Sequence, residues 1–229
     1  DRMKPFLEVS NLNAWHGAAQ LLFDVSLHVG RGEVVALLGR NGAGKSSTLK
    51  AIMGLMPRRE GQLHFDGQDL AQMQSFEVAR LGLGYVPEDR RIFTDLTVLE
   101  NLTLAKQDAR YDHRQRVLSD WTLEKLFDLF PNLAYMQHRQ ASHMSGGEQQ
   151  MLSIGRALMT NPDLLLLDEA TEGLAPLIAQ DIWRICELIS KSGISTVIVD
   201  KNWLFNAASC SAFKRLCSAR RCRSSSINK

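Results

Sequence analysis

Apolar positions follow two rhythms along this chain: short continuous runs of strand length, and longer stretches with apolar residues three and four apart. Phe6 to Ser10 and Leu22 to Val29, the latter with Leu22, Val25, Leu27 and Val29, read as short strands separated by a polar loop that holds Gly17. Glu33 to Leu38 is apolar after its first residue, as in a strand buried on both faces. A glycine-rich loop follows, then a helix over Lys45 to Met53 that Gly54 and Pro57 end. Gly61 to Gly67 predicts a hairpin strand and Leu83 to Val86 a core strand. Thr97 to Ala105 predicts a helix with Thr97 as N-cap and Glu100 at its third position. Between His113 and Phe130, Leu123, Leu126, Phe127 and Phe130 recur at helical spacing until Pro131, so this stretch is expected to be a helical insertion. Helices over Ser145 to Met159 and Ala175 to Ser190 then alternate with buried strands over Leu164 to Leu167 and Ile194 to Val199. This alternation predicts an α/β fold, a mostly parallel sheet flanked by helices.

After Trp203 the pattern stops, and Ser, Cys and Arg dominate, as in Cys217-Ser218-Ala219-Arg220-Arg221-Cys222-Arg223-Ser224. Residues 203–229 are therefore expected to be a poorly ordered basic tail with no strand of convincing length. A frameshifted gene end or a divergent regulatory tail would each give such a shift. Charge follows the same division: residues 201–229 hold seven Lys/Arg and no acid, leaving 20 basic against 25 acidic residues before them, a net of −5 there within an overall +2. A basic excess confined to one terminal stretch argues against nucleic acid as the partner.

With 229 residues and 45% apolar content, the chain can bury one full core. No apolar run reaches the ~20 residues that cross a bilayer, and Lys4 and Glu8 interrupt any signal-peptide core, so a cytoplasmic location is expected. Cys186, Cys210, Cys217 and Cys222 are irregularly spaced, which favours free thiols over a metal site or a disulfide framework.

Three motifs carry chemistry. Gly39-Arg40-Asn41-Gly42-Ala43-Gly44-Lys45-Ser46 fits the phosphate-binding pattern G-x-x-x-x-G-K-[ST] and lies between a predicted strand and a helix. Its backbone N–H groups, with Ser47 just inside the helix, would cradle a β-phosphate, Lys45 would face the β- and γ-phosphates, and Ser46 would ligate Mg²⁺. Leu164 to Leu167 ends in Asp168 and Glu169, which puts Asp168 at the carboxyl edge of the sheet as a Mg²⁺ partner through water, with Glu169 as the general base for an attacking water. Ser145-Gly146-Gly147-Glu148-Gln149 opens a helix with exposed N–H groups and a positive dipole end that suits an anion.

In this order, with the serine-glycine-glycine start 23 residues before Asp168, the three motifs resemble the ATP-binding-cassette (ABC) ATPases over about residues 6–202. Gly84-Tyr85-Val86-Pro87-Glu88, Arg90-Arg91-Ile92-Phe93 and Glu172-Gly173-Leu174-Ala175-Pro176-Leu177 look like the ATP-binding subunits of branched-chain amino acid importers. The resemblance implies a P-loop NTPase core with a small antiparallel β subdomain and a helical insertion at about residues 95–155. It implies ATP and Mg²⁺ as cofactors, and Glu88 where most relatives place a glutamine that touches Mg²⁺ and faces the membrane partner. It puts His16 at the adenine-stacking position, and Lys201 at the switch position where many relatives carry a histidine. The implied partners are transmembrane permease subunits, a second ATPase subunit completing two shared sites head to tail, and indirectly a periplasmic binding protein. The implied place is the cytoplasmic side of the inner membrane. A nucleotide-binding module with little turnover is the alternative that Lys201 and the tail leave open.

Overall fold

The computed structural model describes residues 5–38, 42–111, 117–200 and 222–226. Strand β1 (Leu7–His16) turns back through Gly17 and Ala18 into β2 (Ala19–Val29), and β1 also pairs antiparallel with β4 (Arg58–Phe65), which carries β5 (Gln68–Asp69) at its edge. The polar loop expected between the first two strands is thus extended chain apart from the turn at Gly17 and Ala18, with irregularities in the β1/β2 register along it. Asn11 and Asp24 take left-handed φ of 52° and 51° in this hairpin.

The second sheet is parallel, in the order β11 (Cys222–Ser226), β3 (Val34–Leu38), β10 (Ser195–Val199), β9 (Leu164–Asp168) and β6 (Leu83–Val86). Side chains along its strands alternate between two cores. Leu164, Leu166, Val197 and Val199 face α1 (Lys45–Ile52) and the antiparallel sheet, together with Leu49 and Ile52. Leu165, Leu167 and Ile198 face the other side, where α3 (Val98–Ala105), α4 (Leu123–Leu129), α5 (Pro131–Tyr135), α6 (Gly146–Met159) and α7 (Pro176–Lys191) gather. The short α2 (Ser75–Arg80) packs against β6. Burial on both faces is why β9 reads as a continuous apolar run up to Asp168.

Local signals start the helices where the chain says they should. The Thr97 hydroxyl accepts from the Glu100 N–H while Glu100 accepts from the Thr97 N–H at 2.7 Å, closing a capping box on α3. The stretch from His113 to Phe130 departs from expectation. Arg110–Tyr111 (β7) and Val117–Ser119 (β8) form a small hairpin, and helix begins only at Leu123, where the apolar spacing begins. Pro131 opens α5 as its first residue, a position where its missing N–H is not needed.

The end of the chain also departs from expectation. Residues 222–226 form β11, pairing parallel with β3 from Cys222 opposite Val34 to Ser226 opposite Leu38. β11 thus covers the outer side of β3, while β10 lies inside the sheet through its own pairing with β3 and β9.

Candidate nucleotide site

Register brings the functional strand ends level. Val199 pairs with both Leu37 and Asp168, so β3, β10 and β9 end together, and the loop from β3 to α1 leaves from this edge. α1 begins at Lys45 with no side-chain cap and no acid in its first turn, so its positive dipole end suits an anion. Gly44 precedes it at φ 90°, and a Cβ there would lie 2.7 Å from Leu22 Cδ2, so glycine is required by conformation and by space. Ala43 and Lys45 are buried, Ser46 and Ser47 half-buried, and Gly42 exposed. Gly39, Arg40, Asn41 and Lys201 lie outside the described residues.

Asp168 ends β9 on the same face as Leu164 and Leu166, the face that meets α1. It is 1% exposed; its Oδ2 accepts from the Tyr85 hydroxyl at 3.0 Å, and its Oδ1 is buried with no hydrogen-bond partner. A buried carboxylate oxygen without a donor is costly, and a cation bound there would relieve it; with the Ser46 hydroxyl at the start of α1 on this face, the residues fit Mg²⁺. Burial first, and the Asp168 charge second, push the Tyr85 hydroxyl far above its ordinary pKa and keep it a donor.

Glu169 is 5% exposed and sits at φ 50°, a left-handed conformation unusual for a side chain of this size. Its N–H donates to Val199 O at 2.8 Å, which fastens the turn after β9 to the end of β10. The Thr171 hydroxyl donates to the Asp200 carboxylate, a second tie between the same two strand ends. Strain held in place by surrounding bonds is a mark of functional turns.

The start of α6 lies on the other face. Ser145 caps the helix and Glu148 accepts from the Ser145 N–H at 2.7 Å, so the Glu148 carboxylate serves its own helix. The Gly147 position admits no side chain, because a Cβ would meet Ile178 Cγ2 of α7 at 2.5 Å. Arg90 reaches the same turn: its guanidinium lies 3.2 Å from where a Gly146 Cβ would be and donates to Gln149 and Gln150. Glu88, two residues before Arg90 in the loop after β6, is exposed. His16 is exposed at the end of β1, beside Trp15, whose ring is covered by the Arg58 guanidinium at 4.2 Å. Tyr85 lies within a sequence motif but has no role legible there, since only the register of β6 against β9 puts it within reach of Asp168.

Residues 22–172 match the ABC transporter family. The chain belongs to that family. Its activity is ATP hydrolysis coupled to transport. The chain is 41% identical over 196 residues to the high-affinity branched-chain amino acid transport ATP-binding protein BraG of Pseudomonas aeruginosa, covering 86% of this chain and 82% of that protein. It is 34% identical over 203 residues to the lipopolysaccharide export system ATP-binding protein LptB of Escherichia coli K12, covering 86% and 80%. Among solved structures, an ATP-binding subunit of an ABC transporter superposes with a TM-score of 0.72 at 30% identity, covering 90% of this chain and 83% of that one. Among the described residues no helix is long and apolar enough to cross a membrane.

Proposed function

We propose that this chain is the ATPase subunit of an importer for branched-chain or related amino acids, acting as a head-to-tail dimer on the cytoplasmic face of its permease. The observation that carries the reading is the shared face of the parallel sheet: a glycine-opened, acid-free start of α1 and a buried Asp168 with one orphaned oxygen. The loop Gly39 to Gly44 and the N–H groups of Ser46 and Ser47 hold the phosphates, with Lys45 as their counter-charge. Ser46, Asp168 and Glu88 hold Mg²⁺, which when bound neutralises charge on the β- and γ-phosphate oxygens. His16 stacks on the adenine, and Lys201 presents a charge to the γ-phosphate.

Glu169 orients a water and takes its proton as the water oxygen bonds to the γ-phosphorus; the bond to the bridging oxygen breaks, and ADP and phosphate leave. Its buried position, locked by the bond to Val199, supports this role. α6 packs on the sheet face opposite α1, which supports a second copy, whose Ser145, Gly146 and Gly147 would close over the phosphates held by the first. Similarity to BraG supports the cargo; the weaker similarity to LptB, from a lipopolysaccharide exporter, favours no second reading.

Glu169→Gln tests the reading. It should keep ATP affinity, lower turnover by roughly 10² to 10⁴, and trap an MgATP-dependent dimer in size-exclusion chromatography. In cells holding the cognate permease it should stop uptake of labelled leucine, isoleucine and valine. A variant that stays monomeric with MgATP, or turns over at the parent rate, would defeat the shared-site mechanism.

A further inference from the structure

Asp168 and Tyr85 form an arrangement that the ATPase reading does not itself require. A carboxylate is planar, so a hydrogen bond to one oxygen fixes where the other points. Tyr85 stands on β6 opposite Leu166 of β9, two residues before Asp168 and on the same face, and its hydroxyl reaches forward to Oδ2 at 3.0 Å. The other oxygen, Oδ1, is buried without a donor on the sheet face that meets α1, in a residue 1% exposed. Water satisfies a carboxylate left to itself, whereas here the protein satisfies one oxygen and leaves its neighbour bare.

We infer that Tyr85 is a positioning residue for the metal: its hydroxyl orients Asp168 so that Oδ1 faces the Mg²⁺ that accompanies ATP. The inference rests on the assignment of Asp168 as a metal partner. Hydrogen bonds from outside a coordination sphere orient ligands, and losing one lowers metal affinity by about 10- to 100-fold. Ring packing by itself would make no such demand, since phenylalanine fills the same space.

The test is Mn²⁺ binding to the full-length protein with a non-hydrolysable ATP analogue, followed by electron paramagnetic resonance. Tyr85→Phe should raise the Mn²⁺ dissociation constant about tenfold, with analogue affinity in EDTA unchanged, and Asp168→Asn should weaken Mn²⁺ binding at least as much. Parent-like Mn²⁺ affinity in Tyr85→Phe, with Asp168→Asn impaired, overturns the role of Tyr85 alone. Parent-like affinity in both overturns the metal assignment beneath it.

A second measurement keeps the hydroxyl in place. The chain has three tyrosines, and Tyr111 and Tyr135 are exposed, so 3-fluorotyrosine labelling gives three ¹⁹F signals that Tyr111→Phe and Tyr135→Phe would assign. Adding Mg²⁺ to the analogue complex should shift the Tyr85 signal and leave the other two in place. A Tyr85 signal that does not respond overturns the inference.

Discussion

A single buried amide organises much of the approach to β8 and α4. Asn161 is 1% exposed and donates from Nδ2 to Gln107 O at 2.8 Å and Asp108 O at 3.2 Å. Its Oδ1 accepts from Trp121 N at 2.5 Å and Ser119 Oγ at 3.3 Å, so one side chain joins the chain before and after the β7–β8 hairpin. Its φ of 54° suits asparagine better than most residues. Asn161→Ala should remove all four bonds, strand buried donors and acceptors, and add left-handed strain, destabilising the protein by about 2 to 4 kcal/mol. Urea unfolding would measure it, and a loss under about 0.5 kcal/mol, the range of ordinary surface substitutions, would show that these groups find other partners. Arg59 does comparable work elsewhere: half-buried, with its pKa lowered by burial, it donates to carbonyls of Ala51, Leu70, Ala71 and Met73. Neither residue sits in a motif, and no local pattern marks either one.

At the scale of the element, the cap of α3 makes stability depend on pH. The Thr97 N–H, and then the Thr97 hydroxyl, hold the Glu100 carboxyl below its ordinary value of 4.5. A carboxyl whose pKa is depressed by folding stabilises the fold fully above its unfolded value and loses that contribution as pH falls through the folded one. Glu100→Gln can still accept from Thr97 but does not titrate. Thermal unfolding from about pH 6 down to about pH 3 should therefore show a shallower fall in Tm for the variant than for the parent. Equal slopes would mean that the cap carries no pH dependence. The α3 capping box was legible in the sequence because its partners are three residues apart; on α6 the motif reads as an anion site, and the box between Ser145 and Glu148 emerges only in the structure. The β7–β8 hairpin was not legible, because its partners depend on Asn161, some 40 residues away along the chain.

At the scale of the whole molecule, β11 lies on the free side of β3 and completes the parallel sheet. An uncovered β3 would present a row of unpaired N–H and C=O groups beside an apolar core. Deleting residues 222–229 should speed amide exchange along Val34 to Leu38 and raise light scattering on mild heating. Unchanged exchange in those five residues would show that β11 gives the edge no protection.

Sequence alone determined the family and most of the elements of this protein. The phosphate loop, the apolar strand ending in Asp168 and Glu169, and the serine-glycine-glycine helix start are each local signals, because each needs only neighbouring residues to place its N–H groups or carboxylates. Tertiary structure decided what those groups face. Alternation along β9 and β10 put α1 with Asp168 on one face of the sheet and α6 on the other, and the parallel register of β6 brought Tyr85 to Asp168. It also returned residues 222–226 to β3, which composition alone argued against. The physical reason is the same in each case: parallel strands pair across long connections, so which residues meet is set by the packing of the whole sheet and leaves no trace in the spacing of residues along the chain.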